Sequence, residues 1–364
     1  MKQINRTRAL HDLGQSLWLD NITRGLVTSG TLGEYIRNLS VTGLTSNPSI
    51  FDLAIKHSRF YDKAIQEKRT AGKLGEALFF ELAIEDLRQA ADLFRPIHDA
   101  TDGVDGWVSL EVSPSLAYDS PATVKAASEL HAQAQRSNLF IKIPGTEEGL
   151  VAIEDSIFAG VPVNVTLLFS ATQYVAAAEA YLRGIERRIA AGLSPQIRSV
   201  ASLFISRWDK AMMGKEPLAL QNRLGIAVAK RVYVAYREFL ASTRWSMAAA
   251  AGAPVQRLLW ASTGTKDPKA SDVLYVEALA APDTINTIPE KTLLAYADHG
   301  NISGEMPWDG GDSAAVLQEF VKAGINIDSL AAELQQEGAE GFVKSWKDLL
   351  DCIESKSSVP AGAF

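Results

Sequence analysis

The sequence predicts a (β/α)8 barrel, and three observations predict it. Short apolar, β-branched runs alternate with longer stretches whose apolar residues recur at spacings of three and four, the pattern of parallel strands joined by helical crossovers. There are eight such runs, the count that closes a barrel. Seven of the eight carry a polar side chain in or just after their carboxyl end, where barrel enzymes place their chemistry and where polar groups make poor core fillers. The rival doubly wound sheet calls for a glycine-rich phosphate turn after its first strand, and LWLDNITRG contains no G-x-G-x-x-G. No low-complexity linker divides the 364 residues, of which 47% are apolar. The expectation is therefore a single barrel domain over residues 1–364, with 290–364 as a helical extension.

Taken in order, the first run is Ser16–Asp20 (SLWLD), which offers Asp20. The second, Val41–Asn47, offers Thr45, Ser46 and Asn47, and a helical pattern over Leu74–Phe94 precedes the third, Trp107–Ser113, with Glu111. Thr123–Ala134 reads as helix and leads to Leu139–Gly145, which holds Lys142. Val161–Ser170 brings Asn164 and Thr166, then Ala171–Ile189 is helical. Ser199–Ser206 supplies Ser202 and Ser206 with Arg207 just beyond, and Ala219–Leu240 is helical. Leu258–Thr263 supplies Ser262 and Thr263 with Lys266 nearby, Ala270–Leu279 is helical, and Thr284–Pro289 is the last strand. About three further helices fill the tail, whose end, SSVPAGAF, reads as a frayed terminus. Trp18, Trp107 and Trp260 fall within predicted strands and read as barrel packing.

Lys142 stands out because Phe140-Ile141-Lys142-Ile143-Pro144 is otherwise apolar. A lysine there must snorkel, pair with a carboxylate, or be used as an amine. Burial disfavours an ammonium, and a neutral amine attacks a ketone to give a Schiff base, an electron sink for carbon–carbon cleavage. The blander reading is a structural ion pair with Glu111 across the barrel, and the strand alone leaves both open. Asp20 and Glu111, on other strands, could divide the proton transfers that imine chemistry needs, or serve as strand-end caps and ion pairs. Ser206-Arg207-Trp208-Asp209, with Ser262, Thr263 and Lys266, suggests an anion site; alternatively Arg207 and Asp209 are surface charges at a helix start.

Other classes are disfavoured. With 36 Lys+Arg against 43 Asp+Glu, the net charge is −7, and no basic cluster suits a nucleic-acid binder. One cysteine, Cys352, precludes a disulfide framework or cysteine metal cluster. The five histidines fall outside the strand ends with no ligand-spaced pair, so no metal is expected. The start lacks the apolar run of a signal peptide, and no uncharged stretch reaches the ~20 residues of a membrane span; Ser246–Val255 is short and broken by Gly252 and Pro254. A cytoplasmic protein without membrane or nucleic-acid partners is expected. An apolar barrel-helix face looks alike whether it meets the tail or another subunit, so a homo-oligomer stays open.

TSNPSI (Thr45–Ile50), SLEVSP (Ser109–Pro114), IKIPGTEEGL (Ile141–Leu150), NVTLLFS (Asn164–Ser170), SLFISRWD (Ser202–Asp209) and SGEMPWDG (Ser303–Gly310) together resemble transaldolase. They follow the family's order and, with LWLD near the start, span most of the chain. The resemblance implies a (β/α)8 barrel that transfers a dihydroxyacetone unit from a ketose phosphate, sedoheptulose 7-phosphate or fructose 6-phosphate, to an aldose phosphate, glyceraldehyde 3-phosphate or erythrose 4-phosphate. That is a step of the non-oxidative pentose phosphate pathway, and it implies no cofactor or metal. By position, the resemblance makes Lys142 the Schiff-base lysine and Asp20 the group that moves the C4 hydroxyl proton. It makes Glu111 the acid–base that works through a water, with Thr166 helping to hold that water. It assigns Asn47 and Asn164 to the dihydroxyacetone hydroxyls, Thr45 and Ser202 to the lysine's surroundings, Phe204 to shielding and Arg207 to phosphate.

The sequence departs from the family pattern at one place. Many transaldolases carry a second phosphate arginine shortly after the serine that ends the seventh strand. Here Ser262-Thr263-Gly264-Thr265-Lys266 has none, and Lys266 would supply a point cation without a guanidinium's two-pronged grip. WASTGTK, EMPWDG and the long tail resemble the longer bacterial subgroup, some of whose members are fused to glucose-6-phosphate isomerase; with about 290 residues in the barrel and about 75 in the tail, no isomerase domain is expected within these 364 residues. The sequence leaves open whether the tail closes over the barrel mouth as a lid; Tyr296 and the SGEMPWDG loop lie where such a lid could start.

Overall fold

The computed structural model describes residues 5–302 and 304–357. Its strands are β1 (Ser16–Asp20), β2 (Val41–Thr45), β3 (Val108–Glu111), β4 (Leu139–Pro144), β5 (Val163–Leu168), β6 (Ser199–Phe204), β7 (Arg257–Ala261) and β8 (Ile285–Ile288). All neighbours pair in parallel, in the order β2-β1-β8-β7-β6-β5-β4-β3. The two ends of that sheet are bridged by Gly106 N–H to Thr42 O at 3.0 Å and Leu44 N–H to Trp107 O at 2.9 Å, which makes the sheet a barrel. Only the end residues Asp20 and Arg257 of the strands escape full burial. Strands covered on both faces read as continuous apolar runs, which is why the sequence marks them so clearly.

Helices Gly75–Ala100, Ser120–Ala134, Ala171–Ala190 and Leu224–Leu240 lie where the apolar spacing places them. The stretch Ala270–Leu279 yields only Leu274–Ala278. Helices Pro48–Lys56 and Glu147–Ala159 owe their starts to local capping. Asn47 Oδ1 accepts from Ile50 N–H at 3.0 Å with Pro48 in the first turn, and Thr146 Oγ1 accepts from Gly149 N–H at 3.1 Å. The tryptophans pack as expected. Trp18 and Trp260 are fully buried, and Trp107, just before β3, stacks on Phe140 with ring centroids 4.0 Å apart.

The tail forms Glu290–His299, Ser313–Lys322 and Ile327–Ser357. Residues 358–364, most of SSVPAGAF, lie outside the described residues, as does Ser303. The last helix crosses the carboxyl end of the barrel. Gln335 Nε2 donates to Gly145 O at 3.0 Å and Leu167 O at 2.9 Å. Ser49 and Ser345 hydroxyls meet at 2.8 Å, and Trp346 Nε1 donates to Glu76 Oε1 at 2.7 Å. Residues 335, 338, 342, 345 and 346 recur at helical spacing, so one stripe of the helix faces the mouth. The tail thus covers the mouth, but not from the place the sequence suggested. Tyr296 is buried, and the loop after it packs at the barrel's side, with Met306 N–H on Ala280 O at 2.8 Å and Gly310 against Lys230 and Val234. The cover over the mouth is the C-terminal helix.

Candidate active site

Parallel register sets the site. On β3 and β4, Glu111 is the lateral partner of Lys142, and on β4 and β5 Lys142 is the partner of Asn164. Asp20 and Thr45 are partners on β1 and β2. Lys142 is 5% exposed and Glu111 6%. Lys142 Nζ donates to Ser46 O at 3.0 Å and lies 3.4 Å from Glu111 Oε2. The pair expected across the barrel is thus a pair of neighbours in ion-pair contact, and Lys142 is the one group facing Glu111 Oε2 among the described hydrogen bonds and ion pairs.

A cavity of about 210 Å³ opens above this layer, lined by Asp20, Thr45, Asn47, Lys142, Thr166, Ser202, Phe204, Arg207 and Ser262 among the predicted residues. Ser49, Thr287 and Phe342 complete its wall. Thr45 Oγ1 donates to Asp20 Oδ1 at 2.9 Å and meets Thr287 Oγ1 at 2.6 Å, so Thr287 steadies the hydroxyl that steadies the aspartate. Asn47 spends its carbonyl on its helix, which leaves its amide N–H groups for the cavity. Glu111 faces an adjoining cavity of about 10 Å³ beneath Ala339 and Phe342. Asn164 is buried below the floor, with Ser202 Oγ donating to its Oδ1 at 2.7 Å and its Nδ2 donating to Ser109 Oγ at 3.1 Å. Lys266 is exposed at the rim, outside the lining, although its charge is felt at Asp20 and Arg207.

Burial acts on both carboxyls in the same direction. Burial pushes the Asp20 carboxyl above its ordinary range, opposed by the charge of Lys142 and the Thr45 hydrogen bond. Burial likewise raises Glu111, opposed by Lys142 and then Arg207. Each carboxyl is therefore more ready to hold a proton than a free one. Thr166 Oγ1, also buried, has no internal hydrogen-bond partner. Leu167, next to it, has φ +60°, where the β5–β6 register slips between Val165 and Leu168; Gln335 holds its carbonyl.

Arg207 and Asp209 are not surface charges at a helix start. Arg207 is half-buried, and Asp209 is buried. Asp209 Oδ1 accepts from Leu224 N–H at 2.9 Å and Oδ2 from Tyr275 O–H at 2.8 Å, capping the next helix and leaving the anion role to Arg207. Asp209→Ala is expected to lower stability by about 2–4 kcal/mol, because it strands these buried donors, as read from urea unfolding midpoints.

An eight-stranded parallel barrel that gathers a buried lysine, two carboxylates and an arginine at its carboxyl end has the layout of a barrel enzyme with its site at that end. The sequence matches the family described as Transaldolase/Fructose-6-phosphate aldolase over residues 17–353. It is 40% identical to Transaldolase 2 of Nostoc punctiforme over 98% of both chains. It is 44% identical to the transaldolase of Thermobifida fusca, over 94% of this chain and 96% of that one, and 42% identical to that of Mycolicibacterium smegmatis over 98% of both. The chain belongs to the transaldolase/fructose-6-phosphate aldolase family. No described helix is long and apolar enough to cross a membrane.

Proposed function

We propose that the protein is a transaldolase, a transferase that moves a dihydroxyacetone unit between sugar phosphates through an imine on Lys142. The observation that carries this reading is the setting of Lys142: buried, on the cavity floor, and beside Glu111. The Lys142 amine adds to the ketose carbonyl. Glu111 supports proton transfer as the carbinolamine loses water and the iminium forms, and Thr166 lines the same cavity as Lys142 with a hydroxyl that has no partner among the described residues, suited to holding a water. Asp20 then takes the C4 hydroxyl proton, the C3–C4 bond breaks, its electron pair passes to the iminium, and the aldose leaves. The remaining enamine attacks the acceptor aldehyde, Asp20 returns the proton, and hydrolysis frees the new ketose. Asn47 and Ser202 hold the dihydroxyacetone hydroxyls, and Arg207 holds the phosphate group. Asn164 acts through Ser202 and the floor it stiffens. Its single cysteine and acidic charge suit a cytoplasmic metabolic enzyme.

Borohydride reduction in the presence of fructose 6-phosphate, followed by peptide mass spectrometry, tests this directly. A reduced three-carbon adduct on the Lys142 peptide is expected. Its absence from folded protein that binds the sugar points instead to a non-catalytic sugar-phosphate barrel. Release of dihydroxyacetone without transfer to erythrose 4-phosphate would make it an aldolase of the same family.

A further inference from the structure

We propose that the C-terminal helix is a working part of the phosphate site, in which Gly338 and Phe342 position the Arg207 guanidinium. This rests on the phosphate reading of Arg207. Among the described residues Arg207 makes no ion pair at contact distance and donates no hydrogen bond, although the charges of Glu111 and Glu337 act on it from further away. Its guanidinium carbon instead sits 4.9 Å from the Phe204 ring centre and 5.7 Å from that of Phe342. Two aromatic faces fix the plane of a guanidinium while leaving its N–H edge free for an anion. Gly338 completes the slot, since a Cβ built there would lie 3.0 Å from Arg207 Nη1 and 2.9 Å from Leu167 Cδ2. Gly338 and Phe342 are four residues apart on the inward stripe that Gln335 and Trp346 fasten to the barrel. A single arginine, with Lys266 only at the rim, needs its geometry supplied from outside, and the helix supplies it.

Gly338→Ala isolates the idea. The added methyl meets only the movable ends of Leu167 and Arg207, with Phe169 at 3.8 Å, so it displaces the guanidinium at little cost to the fold. Gly341→Ala is the control. That exposed glycine of the same helix has nothing within 4 Å of a built Cβ, and both changes raise helix propensity equally. For Gly338→Ala, kcat/KM with fructose 6-phosphate is expected to fall roughly 10- to 100-fold, the range for a misaligned charge-assisted contact. Inorganic phosphate should inhibit correspondingly less, while borohydride trapping of dihydroxyacetone on Lys142 stays at the wild-type rate. Phe342→Leu should move the same ratio in the same direction, and Gly341→Ala should move neither. Equal losses with phosphorylated and unphosphorylated substrates, or no loss, would overturn the positioning role. A wild-type protein that forms no Lys142 adduct with either substrate would instead remove the transaldolase reading itself.

Discussion

Lys142→Ala is expected to abolish turnover, by roughly 10⁴-fold or more, together with every borohydride-trapped adduct. The size follows from the chemistry. Without the amine there is no iminium to accept the electron pair of the breaking C3–C4 bond, and no other described lysine lines the cavity. The fold should survive. Removing the ammonium deletes the leading influence that opposes the burial-raised pKa of Glu111, so that carboxyl takes up a proton rather than staying buried as an uncompensated charge. Circular dichroism and the urea midpoint check that point. A folded variant with wild-type turnover would sink the assignment of Lys142.

The barrel was legible in the sequence because each strand is buried on both faces and is short enough to stand out between helical stretches. Lys142, Asp20 and Glu111 were legible for the same reason: a charge within or ending such a run has few structural excuses. Lateral register was not legible. Strand membership does not say that Glu111 sits beside Lys142, and only the β3–β4 pairing does. Thr287 escaped because TINTIP holds no titratable group, and its part is to meet the Thr45 hydroxyl. The C-terminal helix was recognised as a helix, but its role was hidden. Gly338 and Phe342 carry no reactive chemistry and touch residues more than 100 positions away, so tertiary packing alone reveals what they do. The misplaced lid has the same origin, since order along the chain put Tyr296 nearest the mouth while packing put residues 335–346 there.

Asp20→Asn is expected to change the trapped species as well as the rate. The substitution is isosteric, and its amide oxygen can still accept from Thr45 Oγ1, so the cavity keeps its shape. Asparagine cannot take the C4 hydroxyl proton, and turnover should fall about 10²- to 10⁴-fold. Imine formation, which the proposed mechanism assigns to Lys142 and Glu111, should continue. Borohydride with fructose 6-phosphate should then give an uncleaved six-carbon adduct on the Lys142 peptide in place of the three-carbon one. Glu111→Gln should do the reverse, with slow adduct formation but a three-carbon adduct whenever one forms. The pH profile supplies an independent reading. In the proposed mechanism cleavage uses Asp20 as a base, and its carboxyl is raised above the ordinary range. Activity should therefore be lost as pH falls, at a higher pH than a free aspartate near ~3.9 would give. Because the Asp20 charge acts on Glu111, that acid limb belongs to the two carboxyls together, and it should change shape in the asparagine variant. Three-carbon adducts forming at the wild-type rate in Asp20→Asn would transfer the proton-abstracting role to another group, and Glu111 would be the next carboxyl to test.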